Sequence, residues 1–214
     1  MALGAAVSAM VAQNMDLTAS FLPKPVTGVN GSGMHTNMSL SRGGKNVFYD
    51  PKGQDGVSSV AWDMIDRILS NATDICLILN SSVNSYRRLD PHFEAPNQIN
   101  ASAINRGAMV RIPLGNEGSA RIEVRSIAPD ANPYMVMLSV FKTGLEGETA
   151  QIENLRSAKR YLPDNIYDAM DNTYAVGTTF TKIVGIAAYS FSNRKIWPRT
   201  AADLVNSLRE DDLA

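Results

Sequence analysis

The sequence predicts an α+β fold. Three observations carry that reading. Short segments with alternating polar and apolar residues, Met34–Ser41, Ala108–Pro113 and Ser119–Ser126, have the period of strands. Ser58–Leu79 and Pro133–Leu145 have helical spacing instead. The strand-like segments cluster apart from the helical ones rather than alternating with them, which favours antiparallel strands with segregated helices over a βαβ array.

In chain order, the apolar, alanine-rich run near Leu3–Met15 reads as a helix, and Thr18–Lys24 as a strand. Pro25–Gly33 is a loop rich in glycine and asparagine. After Met34–Ser41, Arg42-Gly43-Gly44-Lys45 is a turn into Asn46–Tyr49, a hairpin signal. Asp50–Gly56 is a polar loop. Val60, Met64, Ile65 and Ile68 define a helix face within Ser58–Leu79, with a break at Asn71-Ala72-Thr73. Asn80–Asn105 reads as a long irregular stretch. Its content of Arg87, Arg88, Pro91, Glu94 and Pro96 marks an ordered active-site loop, because loops of that length are functional or disordered. Asn132 and Pro133 are a cap and first-turn residue for the helix Pro133–Leu145. Residues 149–214 read as a mostly helical tail with an acidic, frayed end at Arg209–Ala214.

The 214 residues can bury one good core, and 44% hydrophobic with 19% charged content is ordinary for a globular protein. A net charge of −1 argues against a general nucleic-acid binder. The single cysteine, Cys76, excludes an intrachain disulfide, and its apolar surroundings Ile75–Leu79 mark a buried structural thiol. The N-terminal run lacks a basic start and is interrupted by Gln13 and Asn14, and Ile183–Phe191 is too short to cross a bilayer. The expectation is a cytoplasmic protein without a membrane partner.

Two stretches carry the chemistry. In Arg121-Ile122-Glu123-Val124-Arg125 the three charged residues share one strand face, while Ile122 and Val124 point into the packing. Two guanidinium groups flanking a carboxylate suit a cation beside anionic ligands, since the carboxylate binds the cation and the arginines fork onto carboxylate or phosphate oxygens. A surface Arg-Glu-Arg ladder is the alternative. In Asn30-Gly31-Ser32-Gly33-Met34-His35, His35 reads either as a metal ligand or as a hydrogen-bonded structural histidine. His92 reads as an ordinary loop residue.

These residues, together with Phe21-Leu22-Pro23-Lys24-Pro25, Arg88-Leu89, Phe93-Glu94-Ala95-Pro96, Asn105-Arg106, Val110-Arg111-Ile112-Pro113 and Ala131-Asn132-Pro133-Tyr134, occur in the order and near the spacing of one family. The chain resembles the C-terminal part of the catalytic domain of glutamine synthetase, over roughly Thr18–Glu148 and more weakly over Leu162–Met170. As a set the motifs are specific, whereas any one alone is weak. The resemblance implies an antiparallel sheet forming part of a glutamine-synthetase/guanido-kinase-like catalytic barrel, with helices packed outside, and 1–214 as one C-terminal portion of that domain.

The resemblance also implies roles. His35 and Glu123 would bind the Mg²⁺ or Mn²⁺ that sits on the γ-phosphate of ATP. Asn30, Gly31, Arg88 and Arg125 would hold glutamate. Ser39, Arg106, Arg111 and Arg121 would contact the nucleotide, with Arg106 and Arg125 meeting the charge that develops on the transferring group. Glu94 would be the flap carboxylate that takes a proton from ammonium. The implied reaction is attack of the γ-carboxylate of glutamate on ATP, then displacement of phosphate by ammonia.

The chain also departs from the family. The N-terminal β-grasp domain and the first half of the catalytic domain, with four further metal-binding carboxylates, have no counterpart in it. The expectation is half an active site, inactive alone, whose apolar N-terminal helix is covered by a complementary N-terminal half or within a homo-oligomer. Asn37 replaces a second histidine, Ile104 an arginine, Gly118-Ser119-Ala120 basic residues, and Ile127-Ala128-Pro129-Asp130 a Pro-Asp-Pro stretch. A γ-glutamyl-amine ligase and a non-enzymatic assembly or regulatory relative are the other readings. Asn30-Gly31 and Glu94 favour ammonia as nucleophile.

Overall fold

A computed structural model describes residues 2–93, 95–149, 161–162, 182–183, 185–190, 193–198 and 204–205. They fall into two units, Met1–Ala169 and Met170–Ala214.

The first unit is α+β. It opens with helix α1 (Ala2–Asn14). A four-stranded sheet follows, built from β1 (Thr36–Met38), β4 (Gln98–Ser102), β5 (Ala108–Arg111) and β6 (Ile122–Val124) in the order β1-β6-β5-β4. β6 lies between β1 and β5 and is antiparallel to both, with Glu123 opposite Asn37 on one side and Arg111 on the other. Among the described residues the sheet does not close on itself. The small hairpin of β2 (Ser41–Arg42) and β3 (Lys45–Asn46) turns through Gly43 and Gly44, both at positive φ (58° and 78°). That is the left-handed pair a two-residue hairpin turn requires.

One face of the sheet is the core. Ile99, Ala101, Val110, Ile122 and Val124 are buried there, and α2 (Ser59–Ser70) packs on β4 and β5. Ser58 caps α2 by accepting from the Ala61 amide, and Ala61, Met64, Ile65, Ile68 and Leu69 form its buried stripe. The expected break falls at Asn71, whose side-chain amide donates to the Arg67 carbonyl (2.8 Å) before α3 (Ala72–Leu79) begins. α5 (Pro133–Glu146) packs across α2 and α3, and Asn132 accepts from the Tyr134 and Met135 amides at its start.

Four expectations are corrected. Thr18–Lys24 is not a strand, because Pro23 and Pro25 have no amide hydrogen to pair. Lys24 pairs instead with a side chain: its amide donates to Asn84 Oδ1 (2.7 Å) and its carbonyl accepts from Asn84 Nδ2 (2.9 Å). Asn80–Asn105 is not irregular. It contains α4 (Val83–Arg88), a 3₁₀ turn at Pro91–Phe93, and β4. The strands are not all antiparallel: β4 runs parallel to β5, although only residues 103–107 join them, where parallel neighbours normally need a crossover of about a dozen residues or more.

The fourth correction concerns the tail. Its described residues are extended: β7 (Lys182–Ile183), β8 (Gly185–Ser190), β9 (Asn193–Pro198) and β10 (Leu204–Val205), with β8 and β9 pairing as an antiparallel hairpin and β7 pairing with β10. A short apolar run such as Ile186–Tyr189 fits either period, and the two residues separating Ser190 from Asn193 favour a hairpin. The rest of the tail, including the expected frayed end at Arg209–Ala214, lies outside the described residues. Among the described residues no helix is long and apolar enough to cross a membrane.

Candidate functional site

The polar face of the sheet, opposite the helices, carries the site. Alternation along β6 puts Ile122 and Val124 in the core and turns Glu123 to the other side, as its sequence predicts. Glu123 is buried, and one imidazole and two guanidinium groups converge on it. His35 Nδ1 lies 2.9 Å from Oε1, Arg111 Nη1 3.3 Å from Oε2, and Arg125 Nε 3.8 Å from Oε1. The surface-ladder alternative does not describe this cluster, since Glu123 is withdrawn from solvent.

Arg88 comes from the last turn of α4. The N-terminus of that helix is fixed by a Ser82–Ser85 capping box, and Asp130 accepts from both hydroxyls at 2.6 and 3.2 Å. The Arg88 guanidinium is buried and donates to the carbonyls of Arg125 (2.8 Å) and Ile127 (3.3 Å), with Nη2 3.4 Å from His35 Nε2. Burial, followed by repulsion from Arg125, lowers it to about 10, so it remains charged at neutral pH. His35 is held below its ordinary 6.5, first by burial and then by Arg125 and Arg88, against the opposing pull of Glu123. Its imidazole is therefore neutral at pH 7, the form that can donate a lone pair to a metal.

Backbone permits this crowding at Gly33. A Cβ there would meet Arg88 Nη2 at 2.2 Å and His35 Nε2 at 2.7 Å.

A cavity of about 460 Å³ opens over the cluster. Asn30, Gly31, His35, Arg88, Arg106, Arg111 and Arg125, all anticipated in the sequence, line it together. Arg106 rides on the short return between β4 and β5, where its carbonyl accepts from Arg125 Nη1. Two anticipated residues are not on this cavity. Arg121 donates to Asn37 Oδ1 (2.9 Å) and to the Ser119 carbonyl (3.1 Å), and Ser39 is exposed beyond β1. Glu94 lies outside the described residues. His92 is exposed and paired only locally, with Asp90 (2.7 Å), as an ordinary loop residue is.

Ala103, which sequence reasoning did not mention, also lines the cavity, as do Ile104 and Asn105, which it quoted without a site role. Their placement depends on β4 and its parallel return, for which no local pattern gave notice.

Chemically, the cavity offers four guanidinium groups around one carboxylate–imidazole pair. Such a site suits a ligand rich in carboxylate or phosphate oxygens, and His35 and Glu123 are donor types that suit a cation. Among the described residues no cluster of three metal-ligating side chains occurs, so these two donors alone make an incomplete coordination set.

Comparison with known proteins agrees with this chemistry. The family model described as "Glutamine synthetase, catalytic domain" matches residues 4–193. Glutamine synthetase of Staphylococcus epidermidis is 43% identical over 158 residues, and that of Staphylococcus aureus 42% over the same length. In each case the aligned segment is 74% of this chain and 34% of the relative, so the chain spans about a third of the proteins it matches. With the matched model covering most of its residues, this chain belongs to the glutamine synthetase family of glutamate–ammonia ligases.

Proposed function

We propose that this chain supplies the glutamate- and phosphate-binding half of an ATP-dependent ligase that joins ammonia to the γ-carboxylate of glutamate. The observation that carries the reading is the convergence of Arg88, Arg106, Arg111 and Arg125 on one cavity above the His35–Glu123 pair.

In this reading Arg88 and Arg125, with Asn30 and Gly31, hold glutamate so that its γ-carboxylate faces the terminal phosphate of ATP. The carboxylate oxygen attacks phosphorus, the bond to ADP breaks, and γ-glutamyl phosphate forms. Arg106 and Arg125 neutralise the charge gathering on the transferring oxygens, and the Arg125 guanidinium is preorganised by its bond to the Arg106 carbonyl. Ammonia, deprotonated from ammonium by Glu94, then displaces phosphate to give the amide. Arg111 neutralises Glu123 from the rim and contacts the nucleotide, as do Arg121 and Ser39 beyond the cavity.

The donor types fit a hard divalent cation held partly by substrate oxygens. His35 and Glu123 would hold Mg²⁺ or Mn²⁺, which when bound supplies charge neutralisation at the phosphate. Two protein ligands are too few for a tight site, so further donors come from a complementary N-terminal part of the enzyme. In that assembly the open sheet β1-β6-β5-β4 is one wall of a barrel completed by the partner segment. Val7, Met10, Val11, Met15 and Leu17, exposed on and after α1, are covered there or between copies of the whole.

The test is phosphate release dependent on ATP, glutamate and ammonium, measured for the chain alone and mixed with the N-terminal part of a matching glutamine synthetase. Release is expected only in the mixture. No release in either would refute the reading and favour a non-enzymatic relative. Release with larger amines but not with ammonium would reassign the nucleophile.

A further inference from the structure

Lys24 is a lysine where none is ordinarily found. It is buried, and among the described residues no carboxylate lies within ion-pair distance of its ammonium. Such burial needs compensation. The ammonium finds it in two direct contacts, within the field of the more distant Asp90 carboxylate. It donates to the Val29 carbonyl, and it sits 3.6 Å from the centroid of the Phe93 ring, over the negative face of the π system.

Those two contacts tie together two segments that border the substrate cavity. Val29 immediately precedes Asn30 and Gly31, and Phe93 lines the cavity from the Pro91–Phe93 turn. Lys24 itself does not line it. It lines a second cavity of about 910 Å³, which shares Phe93 as a common wall. The backbone behind the ammonium is held firmly. Asn84 of α4 grips both the amide and the carbonyl of Lys24, and the Pro23 carbonyl accepts from the Ser32 amide (2.8 Å). A Cβ on Gly31 would strike that same Pro23 carbonyl at 2.5 Å, so the two strands of loop are in direct contact.

We infer that Lys24 is a positioning residue that locks the Val29–Gly31 wall to the Pro91–Phe93 wall and so sets the width of the glutamate pocket. It touches no substrate. One cation bridges a carbonyl on one wall and an aromatic face on the other, and neither wall can shift without breaking a contact of a buried ammonium. The kinetic part of this inference rests on the glutamate-binding reading given above; the structural part does not.

Hydrogen exchange of the full chain tests the structural part. In Lys24→Met, which keeps the stem and removes the charge, peptides covering 25–33 and 91–97 should both exchange about tenfold faster, the loss of one desolvated cation–π contact. Exchange in α2 and β6 should be unchanged. Lys24→Arg should restore much of the protection, and Phe93→Leu should reproduce the loosening of 25–33 with Lys24 intact. If only one wall loosens, or neither, or α2 and β6 loosen equally, the inference is wrong.

In the mixture with a complementary N-terminal part, Lys24→Met should raise KM for glutamate about tenfold, the equivalent of the same contact, while KM for ATP stays unchanged. A parallel rise in both would also overturn the inference. Coupled loosening in a mixture whose wild type releases no phosphate would refute the proposed ligase and leave the lock standing. An active mixture without coupled loosening would refute the lock alone.

Discussion

Replacing Glu123 with glutamine removes the carboxylate on which His35, Arg111 and Arg125 converge, while preserving its shape. The cost follows from how exposed each partner is. Arg111 is about half exposed (48%), so its share is that of a surface pair, about 0–1 kcal/mol. Arg125 is 14% exposed and His35 is partly buried, so neither can recover full hydration when the negative charge goes. Breaking a buried pair by removing one partner costs about 3–5 kcal/mol. The glutamine oxygen still accepts one hydrogen bond, which places the expected loss near the lower end, about 3 kcal/mol. With a urea slope of about 2 kcal/mol/M, the unfolding midpoint should fall by roughly 1.5 M. Arg111→Met, measured alongside, should move it far less. A Glu123→Gln midpoint within about 0.3 M of wild type, equivalent to roughly 0.6 kcal/mol at that slope, would refute the premise that the cluster is electrostatically closed. The same variant, and Glu123→Ala, should abolish Mn²⁺ binding in calorimetry, and unchanged heats would remove Glu123 from the metal site.

Three further outcomes are expected. His35 titrates below 6.5 when folded and near 6.5 when unfolded, so the unfolded chain binds more protons between the two values. Stability should therefore be level above about pH 6.5 and decline as pH falls through that window, with the decline reduced in His35→Gln on comparing urea midpoints at pH 7.5 and 5.5. Gly144→Ala should cost about 1–3 kcal/mol in urea unfolding, because its Cβ would meet Met64 Cε at 2.6 Å and Cγ at 2.7 Å where α5 crosses α2; an unchanged midpoint would mean that this crossing is loose. Cys76, buried and with its thiol raised to about 11 by burial, should react with a thiol reagent only as fast as the chain unfolds, and rapid labelling of native protein would contradict its placement.

Much of this molecule is legible where the sequence states its own local geometry. Gly43-Gly44 specifies a turn of one hand, Asn132-Pro133 a helix start, Asn71 a helix break, and the alternation through Arg121–Arg125 a strand with one polar face. The residues of the cavity were legible through a shared set of motifs, not through any one of them. What escaped are features decided at long range. β4 has only Ile99 and Ala101 as buried apolar residues, and its identity comes from lying beside β5. Lys24 looks like any lysine between prolines until Asn84, sixty positions away, takes hold of its backbone. A pattern of period two or 3.6 contains neither fact.

The five residues 103–107 must travel back the whole length of β4 to begin β5 beside it. Six Cα steps reach at most about 20 Å, and the return across five strand residues takes up about 14 Å of that. The link has little slack, and local hydrogen bonds hold it: the Asn105 amide donates to Ser102 Oγ and the Gly107 amide to Asn105 Oδ1. A link held this way has few conformations to give up when a ligand arrives, so much of the entropy of fixing the backbone of Asn105 and Arg106 is surrendered when the chain folds and not when the cavity fills. It also ties the loop to the sheet: a one-residue deletion would drag β5 out of register and turn Arg111 toward the core. At this edge of the cavity, substrate recognition and strand pairing are one mechanical unit.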